Sequence, residues 1–351
     1  MPKKIIQTCV KIISVLILLY LFLVSIKLMG HAFKGFGKDF ATSLINTTSN
    51  PFVVLFIGIL ATSLIQSSST TTSIVVGMVA SGTLTVRCAV PIIMGANIGT
   101  SVTNTIVSFA HITRKEEFKR AFAGALVHDI FNLGCVLVLF PLELATHFLE
   151  RTAHLLTDLF TSSTAFTFVS PLKLIIKPAI RLFDVIIFEQ LSVSPIAGFC
   201  GMLILSFGML FISLFLLVRI MRSMVIAKTE IVFNKILGKG SVIGILIGAV
   251  FTAIVQSSSV TTSLMVPLAG AGIISLEHIM PVTLGANLGT TVTAILASLS
   301  GTPAGITIAL VHLLFNCTGI AVFYPVRWMR NLCLNGARLL AHYSTEAKQY
   351  A

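Results

Sequence analysis

Gln66-Ser67-Ser68-Ser69-Thr70-Thr71-Thr72-Ser73 recurs 190 residues later as Gln256-Ser257-Ser258-Ser259-Val260-Thr261-Thr262-Ser263. The same offset carries Gly95-Ala96-Asn97-Ile98-Gly99-Thr100-Ser101-Val102-Thr103 onto Gly285-Ala286-Asn287-Leu288-Gly289-Thr290-Thr291-Val292-Thr293. Further on, with a slightly shorter offset, Ala125-Leu126-Val127-His128 meets Ala309-Leu310-Val311-His312, and Phe131-Asn132 meets Phe315-Asn316. Blocks that keep their order and nearly one spacing mean a duplicated unit.

Apolar arms flank each serine run. Pro51–Ile65 and Ser73–Ala80 lie on either side of the first, Val242–Val255 and Leu264–Gly272 on either side of the second. Each arm is too short to cross a bilayer core that needs about 20 helical residues, so each pair reads as a re-entrant hairpin with a polar tip. Longer apolar runs supply three crossings per unit. They are Ile12–Met29, Val86–Ala110 and Phe118–Phe140, then Ile196–Val218, Ile279–Leu299 and Ile306–Tyr324. The Gly-Ala-Asn-x-Gly-Thr segments interrupt the middle crossing of each unit and read as helix breaks.

The predicted fold is an all-α polytopic membrane protein of two inverted-topology repeats. Each repeat has three transmembrane helices, one of them broken, and one re-entrant hairpin. Repeat 1 spans 12–141 with its hairpin at about 51–80, and an extracytoplasmic linker follows at 142–195. Repeat 2 spans 196–326 with its hairpin at about 242–272, and 327–351 forms a cytoplasmic C-terminal tail.

Composition agrees. Of 351 residues, 56% are hydrophobic and only 10% charged, and the mean hydropathy is +1.00. A soluble chain of this length carries about a quarter charged residues, so a soluble enzyme and a disordered chain are both excluded. The net charge of +12 points to Lys and Arg in cytoplasmic loops rather than to nucleic acid. With a cytoplasmic N-terminus, the inner segments hold 16 basic and 5 acidic residues and the outer ones 7 and 6. An odd number of crossings per unit turns the second unit upside down. The matched loops agree: 111–121 is strongly charged and 299–305 has no charge. The six cysteines show no metal-ligand spacing.

Inverted repeats with paired interrupted segments are the sequence mark of a secondary transporter. The tips offer hydroxyls, two carboxamides and the unpaired N–H groups that open each second arm, and neither contains a carboxylate. Helix N-termini attract anions, so this chemistry favours a small oxyanion. Asn97, Thr100 and Thr103, with Asn287, Thr290 and Thr293, supply hard oxygen ligands for an alkali cation at unwound helix ends. The lone intramembrane acid is Asp129, whose repeat mate is Leu313. It is either a cation ligand or a structural partner of Lys27. His128 and His312 are either proton-linked or hydrogen-bonded core histidines. Symmetric serine clusters without a Gly-x-Ser-x-Gly elbow or a His-Glu-x-x-His motif argue against an enzyme.

The paired serine runs, the paired Gly-x-Asn-x-Gly-Thr segments, and Arg120-Ala121-Phe122-Ala123-Gly124-Ala125 before Val127-His128-Asp129 resemble the type II sodium-dependent phosphate cotransporters. The resemblance covers nearly all of residues 12–326. It implies sodium-coupled, electrogenic uptake of inorganic phosphate by alternating access, with both termini cytoplasmic. Phosphate would sit among Gln66, Ser67, Ser68, Ser69, Gln256, Ser257, Ser258 and Ser259. Gln256, Thr290 and Thr293 match one sodium site. Asp129 matches the acid of electrogenic members, and Asn132 another sodium-linked position. Lys115, with Arg114 beside it, falls where animal members place a basic residue near the phosphate path. Sodium is then the only metal, as coupling ion, and no cofactor is implied. Ala96 and Ala286 stand where animal members can carry Ser. The segment Leu142–Pro195 lacks cysteine and sequons, which suggests a bacterial relative in the inner membrane. A symporter of another small oxyanion and an anion channel are the alternative readings.

Overall fold

The computed structural model describes residues 2–37, 39–40, 42–43, 50–162, 171–236, 240–299 and 301–347. The Asn46-Thr47-Thr48 sequon pattern and Ser300 lie outside them. Among the described residues every element is helical. Helix α1 (Pro2–Gly35) precedes the first hairpin, α2 (Pro51–Ile65) and α3 (Ser68–Ser81). Then come α4 (Val86–Thr100), α5 (Val102–Ser108), a 3-10 turn and α6 (Lys115–Thr146). The connecting region folds as α7 (Phe148–Ser162), α8 (Pro171–Asp184) and a π-helical turn. The second half repeats the order: α9 (Pro195–Ile236), the hairpin α10 (Ser241–Val255) and α11 (Ser258–Gly270), α12 (Leu276–Ser298) and α13 (Pro303–Phe323). Helix α14 (Arg327–Ala347) closes the chain.

Six helices are long and apolar enough to cross a membrane, among the described residues. They lie in α1, α4 continuing into α5, α6, α9, α12 and α13. The chain is therefore a polytopic helical membrane protein. The hairpin arms α2 and α10 have 15 residues each, about 22 Å of helix, well short of a hydrocarbon core.

The Gly-Ala-Asn-x-Gly-Thr segments are not unwound as expected. Gly285 to Thr290 sit inside the continuous helix α12, and the first copy lies wholly within α4. In the first half the helix is interrupted only after the motif, at Ser101. These glycines serve packing instead. A Cβ on Gly95 or Gly99 would strike the backbone of α2 at Leu55 and Ile59, and one on Gly285 or Gly289 that of α10 at Ile245 and Ala249. Gly58 and Gly248 answer from the hairpin side, against Ile92 and Val282. Small residues four apart let backbones approach closely where lipid supplies no hydrophobic drive. The first arm of each hairpin is thus locked to the middle crossing of its own half.

The second arms cross over. Helix α3 packs against α12 and α13, whereas α11 packs against α5 and α6. Each second arm thereby packs against the other half as well as its own. Within the expected C-terminal tail, Arg327–Ala347 form a packed helix. Helix α14 lies on α6, burying Cys333, Leu334, Ala337 and Ala341.

Candidate functional site

Each hairpin turns in two residues. Gln66 (φ 60, ψ 24) and Gln256 (φ 61, ψ 24) end the first arms in the left-handed region. That conformation is costly for any residue with a Cβ. Its occurrence at both tips marks a geometry held by its surroundings. Ser67 and Ser257 then cap the second arms, accepting from the N–H of Thr70 (3.2 Å) and Val260 (3.4 Å). Because the caps take the third amide, the N–H groups of Ser68 and Ser69, and of Ser258 and Ser259, have no intrahelical acceptor. The second arms therefore begin at Ser68 and Ser258, not at the later residues the hydropathy suggests. Side-chain capping by Ser67 and Ser257 starts a helix that polar residues alone would not signal.

Matched side chains brace the two tips. The Gln66 Oε1 accepts from Thr103 Oγ1 at 2.6 Å, and the Gln256 Oε1 from Thr293 Oγ1 at 2.8 Å. Gln66 Nε2 donates to Ser63 O at 2.6 Å, and Gln256 Nε2 to Ala253 O. Thr62 bonds Thr71 at 2.9 Å, and Thr252 bonds Thr261 at 2.5 Å. The tips meet where Ser69 Oγ donates to the Gln256 carbonyl at 3.3 Å. Ser68, Ser69, Ser258 and Gln256 are buried there. Each carboxamide keeps one Nε2 proton beyond those bonds.

One turn away, a polar chain ties the halves together. Thr262 on α11 donates to Asn104 Oδ1 (2.8 Å), and Asn104 Nδ2 bonds His128 Nδ1 (3.1 Å). His128 Nε2 reaches Asn287 Oδ1 (2.7 Å), Asn287 Nδ2 donates to Asn132 Oδ1 (2.7 Å), and Asn132 Nδ2 donates to Asn97 O (2.8 Å). His128 is thus hydrogen-bonded on both ring nitrogens. The Asn97 side chain turns back to Ile93 O, Thr100 to Ala96 O and Thr290 to Asn287 O.

Asn104 was not singled out in the sequence. Its repeat mate is Ala294, so the motif comparison passes over it, and a lone intramembrane Asn was the signal available. The same difference accounts for one nitrogen of His312. With Ala294 where Asn104 stands in the first half, His312 has no matching partner. Both its nitrogens, and Asn316 Oδ1, are buried without a partner among the described residues.

Asp129 Oδ2 accepts from Thr105 Oγ1 at 3.2 Å, while Oδ1 is buried without a partner among the described residues. Lys27 lines a separate cavity beside α8. Arg114 and Lys115 are not brought to the tips. They open α6, about 21 Å of helix from Asp129, and pair with Glu117 (2.9 Å) and Glu346 (3.1 Å) at the surface. The bond from Lys115 holds the Glu346 carboxyl below its ordinary range.

These features define a multi-pass, all-helical membrane protein whose two hairpin tips meet in a buried, uncharged polar centre. Residues 21–219 and 209–332 match the Na+/Pi-cotransporter family, and the chain belongs to that family. It is similar to sodium-dependent phosphate transport protein 2B of Pongo abelii, with 36% identity over 97% of this chain and 62% of that protein. Protein 2A of Ovis aries is 35% identical, over 98% of this chain and 65% of that protein. Protein 2A of Rattus norvegicus is 34% identical, over the whole of this chain and 67% of that protein. The chain thus spans less than two thirds of the length of the first two. No solved structure matches it.

Proposed function

We propose that the chain is a secondary carrier that takes up inorganic phosphate with sodium. The meeting of the two tips through Ser69 and Gln256 carries this reading. It sets two N-terminal amide clusters and their serines around one buried centre without a carboxylate. Such a centre suits a compact oxyanion and repels no anion. Gln66 to Ser69 and Gln256 to Ser259 are the proposed phosphate ligands. The oxygens of Gln256, Thr290 and Thr293 are proposed for one sodium. Asp129 is proposed for another, because a buried carboxylate oxygen without a partner needs a cation or a proton. Asn132, Asn97, Asn287, Thr100 and Thr103 are proposed as further sodium ligands; Thr103 also holds the Gln66 carboxamide, and the Asn287 carbonyl receives Thr290.

The test is uptake of radiolabelled phosphate into proteoliposomes under an imposed sodium gradient. Accumulation is expected with sodium and not with equal potassium or proton gradients. Sodium-independent, gradient-dissipating flux would favour the channel, and preference for another oxyanion would change the substrate.

We also propose that the two repeats are inverted, with cytoplasmic termini, in a bacterial inner membrane. The loop charges and the crossed second arms support this. In a background freed of native cysteines, Ser300→Cys is expected to react with an impermeant thiol reagent from outside, and Glu116→Cys only after permeabilisation. Labelling of both from one side would overturn the inverted arrangement.

A further inference from the structure

We propose that the cavity between α1 and α8 is a second binding site, away from the tips, for a phosphate-bearing anion. The cavity has a volume of about 540 Å3. Lys27, His31 and Lys34 enter it from α1, and Lys177, Arg181 and Asp184 from α8. On each helix the three residues follow at spacings of three and four, so each helix turns one charged face inward. The single carboxylate is already engaged, since His31 Nε2 lies 2.8 Å from Asp184 Oδ1. Lys34, Lys177 and Arg181 thus bring three solvent-exposed cationic groups to a cavity whose one acid among the described lining residues faces a histidine. Like charges gathered along a cleft raise its local positive potential and concentrate anions there. Three of the seven basic residues that the loop reading puts outside gather here.

The walls name the class of ligand. Ile26 of α1 and Ile176 and Ile180 of α8 add apolar lining. Ile175 and Leu182 on the far side of α8 stay 55% and 57% exposed. Helix α8 is therefore an amphipathic helix of the kind that lies along a membrane interface. Lys and Arg side chains are the usual partners of phosphate groups, whether free or on a headgroup. The floor is Gly77, Ala80 and Ser81 of α3, the helix that begins at Ser68. Those residues lie about 12–18 Å along it from Ser69. Two sources offer the same chemistry: free phosphate on its way to the tips, and the headgroup of an anionic phospholipid. The first rests on the proposed function, and the second does not.

The experiment compares wild type with the triple variant Lys34→Gln, Lys177→Gln, Arg181→Gln. Sodium-driven phosphate uptake is measured in vesicles of phosphatidylcholine alone and with phosphatidylglycerol added. Thermal unfolding in detergent is measured with and without phosphatidylglycerol. For free phosphate, the variant's KM rises about tenfold in both vesicles with kcat unchanged, as expected when a focusing field is removed. For a lipid headgroup, KM in phosphatidylcholine is unchanged, and the variant loses the stabilisation that phosphatidylglycerol gives wild type. The corresponding Lys→Arg variants should behave as wild type in either case. Unchanged KM in both vesicles, together with equal or absent stabilisation of both proteins, overturns the site. If wild type shows no sodium-driven uptake, the proposed function fails separately, and the unfolding arm still decides the cavity.

Discussion

Gln256→Gly is expected to reduce sodium-driven phosphate uptake by about 10- to 100-fold, with insertion and solubility in detergent unchanged. The figure follows from leaving one buried polar partner unpaired, about 1–3 kcal/mol, at roughly tenfold for each 1.4 kcal/mol. Glycine separates two roles of the residue. Gln256 lies at φ 61, where a Cβ is unfavourable and its removal relieves strain. The carboxamide meanwhile receives Thr293 Oγ1 and holds Ala253 O. If backbone conformation were all that mattered, glycine would act at least as well as wild type, and alanine, which keeps the same Cβ, about as wild type does. If the carboxamide orders the tip and faces the solute, both substitutions fail. Gln66→Gly tests the same point in the other half, through Thr103. Near-normal uptake in both glycine variants would remove the substrate from the tips.

The hairpins were legible because their signal is doubled and local. A left-handed residue followed by a serine cap needs only Gln-Ser in the right place, and the chain writes it twice. The six candidate spans were legible because 18 or more apolar residues have few other uses. The role of the glycines was not. Gly95, Gly99, Gly285 and Gly289 carry the same letters whether they break a helix or admit a neighbouring backbone. Only the position of α2 and α10 against them decides for packing. The surroundings of Arg114 and Lys115 were not legible for a related reason. Their distance from the tips, and the carboxylates of Glu117 and Glu346 beside them, are tertiary facts. Asn104 was invisible to the repeat because Ala294 stands at its mate. Asp129, by contrast, was legible as a lone intramembrane acid because Leu313 stands at its mate, and His312 because it matches His128, but the different surroundings of the two histidines were not.

Asp129→Asn is expected to make transport weaker and insensitive to membrane voltage without eliminating phosphate binding at the tips. Asparagine keeps the shape and an oxygen able to accept from Thr105, now 3.2 Å from Asp129 Oδ2, and removes only the charge. Phosphate at neutral pH carries about −1.5 to −2, by analogy with a phosphate monoester. Inward movement of net positive charge then needs more sodium than neutralises the substrate. The symmetric ligands of the two halves contain no acid, so an added cation is best balanced by Asp129, whose Oδ1 is buried without a partner among the described residues. Each elementary charge moved across 100 mV contributes about 2.3 kcal/mol, which by the tenfold rule is a gain of roughly 50-fold in the phosphate ratio that can be held. The measurement is phosphate uptake in proteoliposomes carrying a potassium–valinomycin potential, negative inside. Wild type should accelerate as the potential grows, and Asp129→Asn and Asp129→Gly should not. Should wild type ignore the potential, or either variant follow it as wild type does, Asp129 holds no coupling ion, and its carboxylate serves the packing of α5 on α6 through Thr105.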